Sequence, residues 1–246
     1  MLGLRRPEAP QPGSHEITLL HWNMQSGGKR ANQPRWDRAA GQILARQPDV
    51  IVLSEAPPDR WIFDALYRAN RGWRTVHISN KPDAKYWYKP LVCSRWPMTF
   101  EGEVAVRNGA AMSVLVEVRK KPVRLLVVDG VSSPTVLRTP FLHDVAAACE
   151  AAAAEGRPYD VVVGDFNAVG RSLGFDRLRA AAGGFRAASE YCGGWRATWP
   201  APVPLYDIDH VWVANGHAVA RCELYSGGVF DTDHRGQFVN IALPAE

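Results

Sequence analysis

The segment Val161–Asn167, with the sequence VVVGDFN, constrains the fold of this chain more than any other. Three consecutive valines favour a short strand that is buried on both faces, as in the centre of a layered α/β structure. Gly164 permits a sharp turn, after which Asp165 and Asn167 stand at the carboxyl end of the strand and, two residues apart, point the same way. Reacting groups often collect at that end of α/β sheets. The alternative is an Asx turn in which both residues only satisfy backbone groups.

The length of 246 residues and the apolar content of 46% are sufficient for one large hydrophobic core. Since no linker rich in Pro, Gly or Ser divides the middle of the chain, we predict one domain over residues 16–246. Residues 1–15 are rich in Pro, Gly and charge and are predicted to form a flexible leader. They lack the apolar segment of a secretory signal, and no apolar run reaches the length of a membrane span.

Charge and cysteine content narrow the setting in which the protein works. The formal net charge of +4 is compatible with a phosphate-bearing substrate, including nucleic acid. No Cys-x-x-Cys pair occurs, so we expect free buried thiols in a reducing, cytoplasmic environment. The sequence indicates no protein partner. The four cysteines are Cys93, Cys149, Cys192 and Cys222.

Hydrophobic periodicity predicts mixed strands with a few covering helices. The predicted helices cover residues 34–47, 58–70, 140–155 and 172–182. The predicted strands cover residues 17–22, 49–54, 74–78, 89–93, 111–118, 124–129, 161–163, 208–213, 218–224 and 237–242. This pattern favours an α/β sandwich built in layers rather than a regular βαβ repeat.

Polar residues with metal-binding or acid–base chemistry stand at the ends of several predicted strands. Each has a structural alternative, such as a turn cap or a surface ion pair. Together they supply the oxygen ligands that a hard divalent cation prefers, without the Cys/His set that selects zinc. These residues are Asn23, Glu55, Asp165, Asn167, Asp209, Asp233 and His234.

The order of these motifs resembles the endonuclease/exonuclease/phosphatase superfamily. The resemblance extends from Asn23 to His234 and implies a four-layered α/β/β/α sandwich of two mixed β-sheets flanked by helices. It also implies that the chain cleaves a phosphoester with the help of Mg²⁺, or of Mn²⁺ in some members. The motifs are Trp22-Asn23, Leu53-Ser54-Glu55, Ser94-Arg95-Trp96-Pro97, Gly164-Asp165-Phe166-Asn167, Asp209-His210-Val211 and Thr232-Asp233-His234.

The resemblance assigns roles to these residues one by one. It implies that Glu55 is the principal metal ligand and that Asn23 and Asp233 complete the coordination sphere. The ion would polarise a phosphoryl oxygen and neutralise charge that develops during the reaction.

The same resemblance implies the acid–base groups. Asp165 would orient and partly deprotonate an attacking water, while Asn167 would donate a hydrogen bond to the phosphate. His234, paired with Asp209, would face the phosphoryl oxygens, since a carboxylate behind a histidine fixes the ring and raises its basicity.

The sequence departs from the family pattern at two positions. Val131 stands where many members have the histidine of an Asn-x-His element, so a mechanism with two histidines is not expected. Gln25 stands where exonuclease III-like enzymes have an aspartate. The metal alone, or another side chain, would then assist the leaving group; the candidates are Asp129, Ser132, Ser133 and His143.

Substrate binding is predicted at a few further positions. Thr198-Trp199-Pro200 is interpreted as packing, and His210, which neighbours Asp209 on a strand, is expected to face the opposite way and be buried. Lys85–Lys89 interleaves cations with aromatic residues and fits either base stacking or strand-edge packing. The candidate substrate-binding residues are Gln25, Arg95, Asn108 and Asn167.

The leading functional hypothesis is a metal-dependent phosphodiesterase or nuclease. A second hypothesis keeps the metal but takes a phospholipid, inositol phosphate or phosphosugar as substrate. A third, motivated by Val131, is a catalytically weak binding protein on the same scaffold.

Overall fold

The computed structural model describes residues 5–10, 13–25, 33–56, 64, 73–77, 90–226 and 232–244. The predicted helix over 58–70 lies outside these residues apart from residue 64, and so does Lys85–Lys89. Among the described helices, none is long and apolar enough to cross a membrane.

Two six-stranded mixed sheets form the centre of the described structure. The spatial order of sheet one is β11 (Ala218–Ser226), β12 (Arg235–Leu243), β1 (His15–Asn23), β2 (Val50–Ser54), β4 (Leu91–Ser94) and β3 (Arg74–His77). The order of sheet two is β5 (Met98–Glu103), β6 (Gly109–Val118), β7 (Lys121–Gly130), β8 (Val161–Asp165), β10 (Asp209–Ala214) and β9 (Phe185–Ala187). The pairs β1–β2 and β7–β8 are parallel, and the remaining pairs are antiparallel.

Helices cover the outer face of each sheet. Trp36 and Ile43 of α1 (Gln33–Ala45) pack on sheet one, while α2 (Thr139–Ala154) and the short α3 (Asp176–Ala180) pack on sheet two. A separate apolar core of mainly valine side chains fills the space between the sheets. The layer order is therefore α/β/β/α, which confirms the predicted fold class.

The valine strand is buried on both faces, as predicted. Val161 and Val163 lie in the core between the sheets, whereas Val162 packs under the helices of sheet two. Gly164 does not form the expected turn, because it lies within β8 with a φ of 151°. A Cβ at this position would lie 1.8 Å from the carbonyl oxygen of Val128, so the close approach of β7 requires glycine.

Residues 5–10, within the predicted leader of residues 1–15, make hydrogen bonds to residues of or next to both sheets. The amide of Arg5 donates to the Glu190 carbonyl, and the amide of Glu8 donates to the Val219 carbonyl. The Glu8 carboxylate also accepts hydrogen bonds from Arg186 and from the Tyr191 hydroxyl.

The expectation that all four cysteines are free is wrong for two of them. Cys192 and Cys222, which are 30 residues apart in sequence, form a disulfide between the segment that follows β9 and β11 of sheet one. Cys93 and Cys149 are buried thiols that form no disulfide, as expected. The disulfide removes the cysteine argument on which the expected cytoplasmic setting depended.

Candidate active site

The rows of apolar side chains between the sheets end in polar residues at one edge of the sandwich. On β8 the row runs through Val161 and Val163 to Asp165, and on the antiparallel β10 Asp209 lies directly opposite Asp165. Because strand residues alternate between faces, the polar residues that continue each inward row share this edge. All of them are buried: His21, Asn23, Ser54, Asp129, Asp165, Asp209 and Gln237.

Hydrogen bonds at this edge join the two sheets. The Asn23 amide on β1 donates to Asp165 Oδ2 at 2.9 Å and to Glu55 Oε1 at 3.3 Å. The Ser54 hydroxyl accepts from the Asp165 amide at 3.2 Å and lies 3.2 Å from His21 Nε2. Asn23 and Glu55 from sheet one are thereby held against Asp165 from sheet two.

His234 and Asp209 form a buried pair, with 2.8 Å between His234 Nδ1 and Asp209 Oδ2. Burial opposes the charged form of the histidine, but the negative charge of Asp209 outweighs it and raises the pKa of His234 to about 10. Burial likewise opposes ionisation of Asp209, yet the charge of His234 and its hydrogen bond lower the pKa of Asp209. The pair is therefore an imidazolium–carboxylate pair at neutral pH.

Asp165 lies beside this pair in a position that disfavours its own charge. One donor atom from each of Asp165, Asp209 and His234 lies within 4.8 Å of the other two. Burial, followed by the negative charge of Asp209, raises the pKa of Asp165 to about 8. Burial also raises the pKa of Glu55. These carboxyl groups need an additional positive charge to be ionised together.

The donor set fits a hard divalent cation. Five side chains at this edge offer carboxylate or amide oxygens, which are the ligands that Mg²⁺ and Mn²⁺ prefer. Among the described atoms, two buried carboxylate oxygens have no hydrogen-bond partner, Asp209 Oδ1 and Asp233 Oδ1. Unpartnered buried oxygens of this kind are costly unless a ligand satisfies them. The oxygen-bearing residues are Asn23, Glu55, Asp165, Asp209 and Asp233.

A loop before β10 positions two of these carboxylates, although the sequence suggested only packing for it. The Thr198 hydroxyl accepts from the amide of Asp209 at 3.2 Å. The indole of Trp199 donates to Asp233 Oδ2 at 3.0 Å. Thr198 and Trp199 are therefore positioning residues rather than packing alone.

Asn167 combines both of the interpretations that the sequence left open. Its amide nitrogen donates to Asp165 Oδ1 at 2.8 Å, which is an Asx turn, and its φ is 48°. Its side-chain nitrogen donates to the Gly130 carbonyl at 2.9 Å, and the backbone carbonyl of Asn167 accepts from Arg138 Nε. The segment is not extended here, so the expected parallel direction of the two side chains is not the reason that Asp165 and Asn167 meet.

Two other residues at this edge also have a left-handed backbone, Gln25 with φ 47° and Glu55 with φ 44°. This region is unfavourable for residues with long side chains, and such strain is concentrated at functional sites. The amide of Gln25 donates to Asn23 Oδ1 at 2.8 Å, and its side-chain oxygen accepts from Arg35. Gln25 is therefore next to the site and fixes the orientation of the Asn23 amide.

Arg95, a predicted substrate-binding residue, is not brought to this edge. It lies at the amino end of β2, where its guanidinium contacts the Gln47 carbonyl and lies 3.7 Å from Asp49 Oδ1. At about 3.3 Å per residue, the strand separates Asp49 from Glu55 by about 20 Å. The sequence motif marked a strand end correctly but did not show which edge of the sheet that end reaches.

Asn108 lies at the same edge as Asp165 but two strands away. Its carbonyl accepts from the amide of Val131 at 2.9 Å, and its exposed amide group lies 3.4 Å from the Leu137 carbonyl. The separation of two strands is about 10 Å. Val131, at the position of the missing histidine, is fully buried.

The sequence analysis does not identify His21 as a site residue, and it names Asp129 only as a candidate for assisting the leaving group. His21 is fully buried, and its Nδ1 lies 4.0 Å from Asp209 Oδ1. Burial lowers the pKa of His21 to about 4, so this histidine is neutral. Asp129 is in register with Asp165 on the neighbouring parallel strand. Their positions in the sequence could have identified them, because each residue follows a row of inward-facing apolar residues at the end of a strand.

A family model described as "Endonuclease/Exonuclease/phosphatase family" matches residues 20–234. The chain belongs to this family. Its members hydrolyse phosphoester bonds, and the buried Asp165–Asp209–His234 cluster is consistent with a metal site in such an enzyme. No curated protein sequence matches the chain at a significant level.

Solved structures of low sequence identity share the fold. A Bacteroides vulgatus endonuclease/exonuclease/phosphatase is 17% identical with a TM-score of 0.70, and the match covers 94% of this chain and 100% of that one. The human Nocturnin catalytic domain with bound sulfate is 14% identical with a TM-score of 0.70, over 96% and 97% of the two chains. D. rerio TDP2 complexed with a single-strand DNA product is 15% identical with a TM-score of 0.69, over 92% and 98%.

Proposed function

We propose that this phosphoesterase is a Mg²⁺-dependent phosphodiesterase that hydrolyses nucleic acid, with Mn²⁺ as an alternative ion. The observation that carries the proposal is the environment of Asp165. This carboxyl is buried, has a raised pKa and has an oxygen within 4.8 Å of a ring nitrogen of His234, which is paired with Asp209. A base, an acid and a set of cation ligands therefore occupy one edge of the sandwich.

Glu55, Asn23 and Asp233 would hold the cation, with the unpartnered oxygens of Asp209 and Asp233 facing it. When bound, the cation supplies positive charge that neutralises the phosphoryl oxygens. The proposal is supported by the oxygen-rich donor set and by the hydrogen bonds that fix Asn23 between Glu55 and Asp165.

Asp165 would accept a proton from the attacking water. Burial and the negative charge of Asp209 raise the pKa of this carboxyl to about 8, and the positive charge of a bound cation would favour the ionised form that accepts the proton. Asn23 and the Asn167 amide orient its two oxygens. The second N–H of the Asn167 side chain remains for the phosphate, since the first donates to Gly130.

His234 would stabilise negative charge on the phosphate or the leaving group. Its Nδ1 is held by Asp209, so the proton on Nε2, which lies 3.8 Å from Asp233 Oδ1, would be the one offered to the substrate. Because Val131 is apolar and buried, no second histidine assists from that position. His234 would consequently carry the role that two histidines share in other members.

Nucleic acid is the proposed substrate for two reasons. TDP2, which has the same fold, is complexed with a single-strand DNA product in its structure. The formal net charge of this chain is +4, which favours a polyanion. The sequence-based alternatives of a phospholipid or an inositol phosphate have no comparable support among the described residues.

Hydrolysis of bis-p-nitrophenyl phosphate tests the proposal, measured with Mg²⁺ and with EDTA. We expect turnover only with the cation and expect Asp165→Asn to abolish it, whereas the distant Asp49→Asn retains it. A panel of single-stranded DNA, duplex DNA, RNA, sphingomyelin and inositol phosphates then identifies the substrate. Turnover that is independent of the cation, or preferential hydrolysis of a lipid or inositol phosphate, would contradict the proposal.

A further inference from the structure

A cavity of about 760 Å³ lies beside the candidate active site, on the opposite face of β10. One wall is the loop 169–171, which follows Asn167, and another is the loop 194–207. Four arginines line it, and we call it the arginine cavity: Arg5, Arg171, Arg179 and Arg196. Its volume is within the range of sites that bind small molecules or parts of larger ligands.

The loop 194–207 connects this cavity to the active site. Thr198 accepts from the backbone amide of Asp209 and Trp199 donates to the Asp233 carboxylate, whereas other residues of the same loop line the cavity: Trp195, Leu205 and Asp207. Asp207 precedes Asp209 by two residues, a distance of about 7 Å along an extended chain. Successive phosphates in one strand of a duplex are about 3.4 Å apart along the axis, so a strand in the active site reaches the cavity within a few nucleotides.

The cavity has an excess of positive charge. Its four guanidinium groups face two carboxylates, Glu190 and Asp207. Arg5 is paired with Glu190 at 3.0 Å, and Arg179 with Asp176 at 2.6 Å. Arg171 is exposed and has no hydrogen bond or ion pair among the described residues. Its guanidinium is therefore available for a phosphate, which it can bind in a bidentate manner.

One wall of the cavity is aromatic and apolar. Trp195 is 59% exposed and Leu205 is 61% exposed, which is unusual for side chains of this size. The indole N–H of Trp195 donates to the Pro204 carbonyl at 2.6 Å, so the edge of the ring is fixed. An exposed, fixed indole is a platform on which a nucleobase of any sequence can stack.

The floor of the cavity contains a polar atom that the fold leaves unsatisfied. His210 is 1% exposed, and its Nε2 lies 2.9 Å from the Ala168 carbonyl. Its Nδ1 has no partner among the described residues, although His210 lines the cavity. This histidine faces away from Asp209, as the sequence predicted, and the active site does not use it.

We propose that the arginine cavity binds a nucleotide unit that flanks the scissile phosphate. The base stacks on Trp195, and the phosphate binds Arg171. This inference depends on the proposed function for the identity of the chain that enters the cavity. A free nucleotide has the same base-plus-phosphate chemistry, so the experiment must separate the two sources.

Fluorescence anisotropy of labelled single-stranded oligonucleotides tests the assignment, in an Asp165→Asn background that prevents turnover. We expect Trp195→Ala to weaken the binding of a ten-nucleotide strand about five- to 100-fold. Arg171→Ala should weaken it and reduce the slope of log K against log salt by about 0.7, the value for one phosphate contact in a single strand. Arg177→Ala is the matched control, since Arg177 is exposed on α3 and does not line the cavity.

A second measurement separates this inference from the proposed function. Because bis-p-nitrophenyl phosphate does not extend into the cavity, Trp195→Ala and Arg171→Ala should hydrolyse it at the wild-type rate while KM for the oligonucleotide rises. If the wild type does not hydrolyse that compound, the proposed function fails, but anisotropy still reports on the cavity. Unchanged melting temperatures show that the variants are folded.

Three results would overturn the assignment. The first is oligonucleotide binding by Trp195→Ala and Arg171→Ala that equals that of Arg177→Ala. The second is complete displacement of the oligonucleotide by an equal concentration of AMP, which would identify a free-nucleotide site. The third is an inositol phosphate that binds the wild type and Trp195→Ala but not Arg171→Ala, while both variants bind the oligonucleotide as the wild type does.

Discussion

Asp49 and Asp165 are buried carboxylates at opposite edges of the same sandwich, and their surroundings differ. Asp49 accepts from the amide and the hydroxyl of Thr18 and from the Trp96 indole, and the Arg95 guanidinium lies 3.7 Å away. Asp165 receives hydrogen bonds from neutral amides, and the carboxylate of Asp209 is its neighbour.

The difference separates a structural acid from a chemical one. At the edge of Asp49 the fold itself supplies the donors and the cation. At the edge of Asp165, two carboxyl groups share the single positive charge of His234. Ionisation of both therefore depends on the positive charge of a bound ligand such as a cation. The predictions below contrast these two edges.

The largest expected effect is on catalysis. Asp165→Asn should lower kcat/KM for a phosphodiester by about 10²–10⁴-fold, because the asparagine cannot accept the proton. The free energy of unfolding should not fall, since a poorly solvated carboxyl is removed. Steady-state kinetics and urea denaturation measure the two quantities. Substantial activity in this variant would show that Asp165, like Asp49, has a structural role rather than a catalytic one.

The next effect is on stability in the presence of the cation. Mg²⁺ at 100 times its Kd should raise the free energy of unfolding of the wild type by about 2.7 kcal/mol. Glu55→Gln should lose most of that increase, while Asp49→Asn should retain it. Thermal unfolding with Mg²⁺ and with EDTA gives the comparison, and an equal increase in all three proteins would place the cation elsewhere.

A smaller effect is expected from the structural acid. Asp49→Asn should lower the free energy of unfolding by about 1–3 kcal/mol, because donors from Thr18 or Trp96 lose their acceptor. The kcat/KM should remain within a factor of two or so of the wild-type value, by analogy with additive distant sites. A large loss of activity in a fully folded Asp49→Asn protein would remove the distinction between the two edges.

The last contrast, expressed per pH unit, is the pH dependence of the stability of the metal-free protein. The pKa of Asp165 is about 8 when folded and near 3.9 when unfolded, so the folded state retains a proton that the unfolded state loses. Its contribution to stability is full below pH 4 and is lost as the pH rises towards 8, by at most about 1.4 kcal/mol per pH unit. Asp165→Asn should flatten this decline in EDTA, whereas Asp49→Asn should not.

The sequence predicts much of the fold because inward-facing residues alternate along the strands. A run of valines followed by an acid is visible within a few residues of sequence, so it predicts that Asp165 lies at the end of a buried strand. Asp209, at the start of β10, lies opposite it at the same edge. The edge strands β5 and β9 were not predicted, since β5 is largely exposed and β9 has only three residues. Exposed or very short strands have too little alternation to detect.

The rest of the site depends on pairings between residues distant in sequence. His21 joins Ser54 and approaches Asp209, and no local pattern indicates that contact. The Cys192–Cys222 disulfide is of the same kind. For Arg95 the sequence motif predicts a place in the site, whereas the fold places this residue at the other edge of the sandwich, beside Asp49.

The disulfide has a mechanical consequence because the residues of the candidate active site come from both sheets. Asn23, Glu55 and His234 belong to or adjoin sheet one, whereas Asp165 and Asp209 belong to sheet two. Among the described residues, side-chain hydrogen bonds such as Asn23 to Asp165, and backbone hydrogen bonds between Thr198 and Arg235 and between Ala201 and Asp233, hold these halves together at the catalytic edge. The covalent link from Cys192, in the segment after β9, to Cys222 on β11 resists sliding of one sheet over the other, and reduction would remove that restraint.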